Sequence, residues 1–204
     1  MLTVPYWLDL AGVFFFAMSG ALAAYDKSIY RDFFGITFIA FITAIGGGTI
    51  RDIMLGIHPL AWISDANYII AIGVGVLFAV GARKLLLKLT RTMLLFDAIG
   101  IGLYTILGTQ KSLAADVNPL AALILGMFSA VFGGVIRDTL LNELPLIFRK
   151  EIYATACLAG AAVYVTLLYL DVHGNIAAFN GIAVVIVVRI LAVYKSWSLP
   201  KVGD

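Results

Sequence analysis

The sequence predicts an all-α membrane protein: seven transmembrane helices, built as two inverted three-helix repeats plus a seventh helix. Three observations carry that prediction. First, 62% of the 204 residues are hydrophobic and only 13% are charged, with a mean hydropathy of +1.03. A soluble domain carries about 25% charge, so lipid is the expected solvent. Second, the apolar residues fall in runs near the roughly 20 residues a spanning helix needs. Third, a phrase recurs: GGGTIRD from Gly46 to Asp52 returns as FGGVIRD from Phe132 to Asp138.

The seven expected spans are residues 6–25, 33–56, 66–82, 92–109, 119–142, 152–170 and 176–194. Turn and charge signals separate them. Asp26-Lys27 ends the first, His58-Pro59 the second and Arg83-Lys84 the third. Asp116 to Pro119 separates four from five, Leu144-Pro145 five from six, and Asp171 to Asn175 six from seven. All the runs are far longer than the roughly ten-residue alternating segments of a membrane β-barrel. Trp7, Trp62 and Trp197 each fall near an expected membrane edge, where interfacial anchors belong. No basic segment precedes the first apolar run, so a cleaved signal peptide is not expected.

The halves align. Asp9 and Gly12 match Asp97 and Gly100, and Gly20 matches Gly108, at an offset of 88. Thr43, Gly47, Gly48, Arg51, Asp52 and Pro59 match Ser129, Gly133, Gly134, Arg137, Asp138 and Pro145 at an offset of 86. The chain then divides, within a single transmembrane domain 1–204, into repeat 6–86, repeat 92–170 and a seventh helix 175–195. Three spans per unit is odd, so the second unit crosses the membrane in the opposite sense. Such inverted repeats, with a site near the midplane, are a transporter architecture.

Lysine and arginine set the orientation. Lys27, Arg31, Arg83, Lys84, Lys88, Arg91, Arg149, Lys150, Arg189, Lys195 and Lys201 share one side, against Lys111 and Arg51 on the other. This places the N-terminus outside and the C-terminus in the cytoplasm. Asp9, Arg51 and Asp52 then lie toward the outer face, and Asp97, Arg137 and Asp138 toward the inner one. Gly46, Gly47, Gly48, Gly133 and Gly134 fall nearer the middle.

Glycine costs a helix about 1 kcal/mol against alanine, and an intramembrane charge roughly 2.5–3.5 kcal/mol. Carrying both costs twice, in matching places, points to use. The expected use is a kinked or unwound turn whose freed carbonyls face a wet cavity, with the hydroxyls of Thr43 and Ser129 on the same path. The plainer alternative is close helix packing. Arg51 and Asp52 are adjacent and project about 100° apart, as do Arg137 and Asp138. Each arginine is therefore expected to find its partner on another helix: Asp9 for Arg51 and Asp97 for Arg137, with cross-pairing between the halves also allowed. The pairs would serve as gate elements or as clamps that lock the bundle.

Other chemistry is thinly represented. His58 and His173 lack a metal-ligand companion at helical spacing, and no metal or cofactor is expected. No nucleophile elbow, P-loop or dinucleotide fingerprint appears, so an enzyme is not expected. Net charge is +2 with no basic stripe, which argues against a nucleic-acid partner. Cys157 is the single cysteine, which excludes an intrachain disulfide.

Seven spans, a duplicated three-span unit and the GGGTIRD/GGVIRD pair resemble the prokaryotic trimeric intracellular cation (TRIC) channel family, over about residues 6–195. The resemblance implies a bacterial or archaeal inner-membrane homotrimer with one ion pathway inside each protomer, kinked at the glycines of spans two and five. It also implies conduction of potassium and sodium in preference to anions. The path would pass Thr43, Gly46, Gly47, Gly48, Ser129, Gly133 and Gly134, with Asp9, Asp52, Asp97 and Asp138 offsetting Arg51 and Arg137. Phe132 replaces the first glycine of the second copy, so that kink is expected to be smaller or stiffer. The same repeat unit is also classed as a bacterial glycine transporter. Two arginines near a path suit carboxylate binding, so a carrier of a small amino acid is the alternative.

Overall fold

A computed structural model describes residues 5–26, 32–83, 92–148 and 152–197. Among these residues the chain is helical throughout: α1 (Tyr6–Asp26), α2 (Phe33–Met54), a one-turn α3 (Ala61–Ser64), α4 (Ala66–Gly81), α5 (Thr92–Ala114), α6 (Pro119–Leu140), a 3₁₀ turn (Leu146–Phe148), α7 (Ala154–Tyr169) and α8 (Gly174–Lys195). The seven expected spans correspond to the seven long helices. The short α3 and the 3₁₀ turn follow Pro59 and Pro145, equivalent prolines of the two copies. Of the cations used to orient the chain, Lys27, Arg31, Lys84, Lys88, Arg91, Arg149, Lys150 and Lys201 lie outside the described residues.

Local sequence sets the helix ends. Asp65 accepts a hydrogen bond from the Asn67 amide and Asn118 one from the Leu120 amide, each at 2.9 Å. These are N-caps, and Pro119 suits the first turn that follows. The C-termini of α2 and α6 close alike. Gly56 and Asn142, equivalent in the two copies, adopt left-handed φ of 66° and 54°. Beyond them the amides of Ile57 and Glu143 reach back 2.8 Å to the carbonyls of Asp52 and Asp138. This is the Schellman closure, which satisfies carbonyls a bilayer would leave unpaired.

α1, α2, α5 and α6 supply most of the interior, where Val13, Phe16, Ile39, Ile101 and Val131 are buried. The apolar residues left outside belong to the periphery: Ile70, Leu77 and Phe78 on α4, and Phe179, Val187 and Ile190 on α8. Among the described residues four helices are long and apolar enough to cross a membrane, and the apolar α4 and α7 are shorter, at 16 residues each. An apolar exterior over a polar-seeded interior is the arrangement of an integral membrane protein. Trp7 and Trp197 are exposed near helix ends, as anchors are. Trp62, on α3, is half-buried and donates to Thr49 Oγ1 at 3.1 Å.

The halves touch each other reciprocally. α1 packs on α2 and α4, and α5 on α6 and α7, while α1 meets α5 and α2 meets α6. At the finer scale Gly12 lies against the Tyr104 ring and Gly100 against the Phe16 ring. Gly20 faces Thr43, and Gly108 faces Ser129. Contacts in which i meets j′ and j meets i′ are those of a local two-fold axis.

Candidate functional site

The glycine motifs occupy the crossing of α2 and α6. A Cβ on Gly47 would stand 2.0 Å from the Ser129 carbonyl oxygen, and one on Gly133 2.3 Å from the Thr43 carbonyl oxygen. No side chain fits there, so glycine is required by backbone approach. α2 and α6 are continuous helices through both motifs. The expected unwound turn is therefore corrected: both segments stay helical, and the glycines bring the two backbones into close contact. Gly46 adjoins Gly133 across the same crossing. Gly48 and Gly134 face away from it, toward the arginines. Their virtual Cβ positions lie 3.7 Å from Arg51 Nη2 and 3.6 Å from Arg137 Nη2.

The expectation that neighbouring Arg and Asp cannot pair is also overturned. Arg51 Nε and Nη2 both donate to Asp52 Oδ1, at 2.8 and 2.7 Å. Arg137 Nε donates to Asp138 Oδ1 at 2.8 Å. A 100° separation at the helix surface restrains Cβ directions, but the arginine stem is long enough to fold its planar fork back onto the next residue. The expected interhelical partner holds for one arginine. Arg137 Nη1 donates to Asp97 Oδ1 at 3.0 Å and to Ser19 Oγ at 2.9 Å. Arg51 Nη1 instead meets Ser129 Oγ at 3.0 Å. Asp9 accepts from Tyr68 on α4 at 2.7 Å, and this corrects its assignment to Arg51. Thr43, the counterpart of Ser129, returns its hydroxyl to the Ile39 carbonyl at 2.6 Å.

Two polar groups result. The first opens into a small cleft lined by Asp9, Gly48, Arg51, Asp52, Tyr68 and Lys111 among others. Lys111 Nζ stands 3.8 Å from Asp52 Oδ2 and is 32% exposed. The second group is shut. Arg137 and Asp97 are fully buried, and the Leu146 amide donates to Asp138 Oδ2 at 3.1 Å. Around Gly134, the Tyr153 hydroxyl, Arg137 Nη2 and Asp97 Oδ2 have no hydrogen-bond partner among the described residues. Arg189 of α8, 1% exposed, lies 4.8 Å over the Tyr153 ring and donates to the Ile152 carbonyl at 3.3 Å. Among the described residues the first group gathers Arg51 and Lys111 with Asp9 and Asp52, and the second gathers Arg137 with Asp97 and Asp138, with Arg189 over the Tyr153 ring beside it.

Sequence reasoning found both Arg-Asp pairs, Asp9 and Asp97. It missed Ser19, Tyr68 and Tyr153 as partners, and it used Lys111 and Arg189 only for orientation. Arg189 did carry a signal, as a charge inside the most hydropathic of the candidate spans. Among the described residues no three His, Cys, Asp or Glu side chains gather as metal ligands.

The chain matches a protein-family model described as Glycine transporter, over residues 6–84 and 94–169. It is 36% identical over 197 residues to the UPF0126 inner membrane protein YadS of Escherichia coli K12, covering 96% of this chain and 94% of that one. A UPF0126 membrane protein of Deinococcus radiodurans is 40% identical over 158 residues, 76% of this chain and 73% of its own. Among solved structures, the TRIC trimeric intracellular cation channel orthologue from Rhodobacter sphaeroides superposes with a TM-score of 0.85 at 35% identity, over 93% of this chain and 97% of that one. A chain from a structural study of conductance through TRIC cation channels superposes with a TM-score of 0.86 at 32% identity, over 98% of both.

Proposed function

This chain belongs to the family described as Glycine transporter and is a relative of the UPF0126 membrane proteins, and from that premise we propose that it is a monovalent cation channel. The observation that carries the reading is the likeness along nearly the whole chain to structures of TRIC cation channels, at TM-scores of 0.85 and 0.86. The pathway lies within each protomer of a homotrimer and passes potassium and sodium ahead of anions. The repeats are 6–86 and 92–170, inverted about an axis in the membrane plane, with 175–195 as the added helix. The N-terminus faces outward and the C-terminus the cytoplasm.

The path crosses the local two-fold, passing Thr43, Gly46, Gly47, Gly48, Ser129, Gly133 and Gly134. The backbone contacts of Gly47 with Ser129 and of Gly133 with Thr43 close it at the centre. Conduction requires α2 and α6 to part there. Glycine suits the task because the contact is made of backbone alone, with no side chain to disengage. The arginines do not turn the path into an anion conduit, because Asp52 neutralises Arg51 and Asp97 and Asp138 neutralise Arg137. The test is the reversal potential of purified protein in a planar bilayer under a potassium chloride gradient. It should lie near the potassium equilibrium potential, and a value near that of chloride rejects the proposal. Mass measurement in detergent should give a trimer.

A carrier of a small amino acid is the second reading. The open cleft favours it, since Lys111 and Asp9 present opposite charges to one small space, as a zwitterion needs. Saturable uptake of labelled glycine with no unitary current would replace the channel with the carrier.

A further inference from the structure

The two polar groups differ in what their first aspartate binds. Asp9 accepts from the Tyr68 hydroxyl at 2.7 Å, and Arg51 is left with Asp52 and Ser129. That group opens to the cleft. Asp97 instead accepts from Arg137 at 3.0 Å, beside the bonds of Arg137 to Asp138 and Ser19. That group is shut. Yet the second half also carries a tyrosine at the corresponding place. Tyr68 lies in the first turn of α4 and Tyr153 directly precedes α7, within one residue of the register that aligns Pro59 with Pro145. The Tyr153 hydroxyl is buried without a hydrogen-bond partner among the described residues, and so is Asp97 Oδ2. The point a Cβ would take on Gly134 lies 3.1 Å from that hydroxyl and 3.9 Å from Asp97 Oδ1. Glycine leaves no side chain at that point.

We infer that Tyr153 is a gating residue of the conduction path: its hydroxyl takes the Asp97 carboxylate from Arg137, as Tyr68 holds Asp9, and the exchange opens the Arg137 end. The assignment rests on the channel reading. After the exchange Arg137 keeps Asp138 and Ser19, one carboxylate and one hydroxyl, which is the set Arg51 already holds. One charge-assisted hydrogen bond replaces another, and no charge is left bare. Giving up an ion pair for a neutral donor favours the shut form at rest. The Asp97 bond ties α6 to α5. Its release leaves α6 with one fewer interhelical bond when it parts from α2. Two forms that differ by such an exchange are what a gate needs.

The test pairs single-channel recording in a planar bilayer with reversible unfolding in detergent. Tyr153→Phe should lower the ratio of open to closed time on the order of tenfold, the worth of a hydrogen bond to a charged group. Its stability should equal or exceed that of wild type, because the shut form then buries one fewer unpaired hydroxyl. In an Asp97→Asn background the same substitution should change the ratio by about twofold or less, because a neutral amide is the weaker acceptor. An unchanged ratio in Tyr153→Phe overturns the assignment. A loss of stability or of folding also overturns it, because the hydroxyl would then be bonded in the shut form. A tenfold fall that persists beside Asp97→Asn does so too, since the hydroxyl would be acting on another group. Any of these results in a chain whose wild type conducts removes the assignment alone. A folded wild type that passes no potassium current removes the channel reading and the assignment with it.

Discussion

The Arg51 and Arg137 groups descend from one motif, and they differ in what surrounds them. Both arginines fold back onto the following aspartate at the same 2.8 Å from Nε. Beyond that shared pair they part. Arg137 gains a second carboxylate, Asp97, inside the bundle; Arg51 gains a neutral hydroxyl, Ser129, while Asp9 is drawn off by Tyr68. One group is fully buried and the other opens to a cleft. A duplicated sequence therefore repeats its backbone contacts faithfully, because glycine against a carbonyl tolerates no variation. Its charges pair with whatever side chains the neighbouring helices present.

The largest expected effect tests the part that is repeated. Gly47→Ala and Gly133→Ala would each force a methyl to within 2.0 or 2.3 Å of a carbonyl oxygen on the other helix. Each should cost about 3 kcal/mol or more of stability in reversible unfolding from detergent. Gly48→Ala, whose nearest new contact is 3.4 Å away, should cost about 1 kcal/mol or less. Equal losses at Gly47 and Gly48 would show that the crossing is looser than it stands here.

Next come the arginines, where the halves should differ. Arg137→Ala strands two buried carboxylates and should cost about 3–5 kcal/mol. Arg51→Ala leaves Asp52 with Lys111 and an open cleft, and should cost about 1–2 kcal/mol. Equal destabilisation would mean that the cleft does not hydrate Asp52. Asp97→Asn against Asp9→Asn repeats the contrast on a smaller scale. The first weakens a fully buried ion pair and should cost about 2 kcal/mol; the second keeps the Tyr68 hydrogen bond and should cost under about 1 kcal/mol. The smallest effect belongs to Lys111→Gln, expected within about 0.5 kcal/mol of wild type. Its mark should appear in conductance, as a higher potassium current entering from the cleft side.

Fold and site were unevenly legible in the sequence. Span number, helical character and duplication could be read directly, because bilayer thickness sets the length of an apolar run and because copied motifs align residue by residue. The four aspartates and the two motif arginines could be read for the same reason: a charge or a paired glycine in an apolar run is costly enough to mark itself. The partners of those residues could not. Asp9 and Asp97 are equivalent by sequence, yet one binds a tyrosine and the other an arginine. Whether the paired glycines break a helix or join two depended on the distance between α2 and α6, which no linear pattern records. Arg189 joined the buried group only because α8 packs against α5 and α7. Periodicity and insertion cost are properties of one segment in its solvent, so the chain alone determined the helices, their duplication and their costly residues. Pairing, burial and close approach are relations between segments, and the tertiary structure alone decided those.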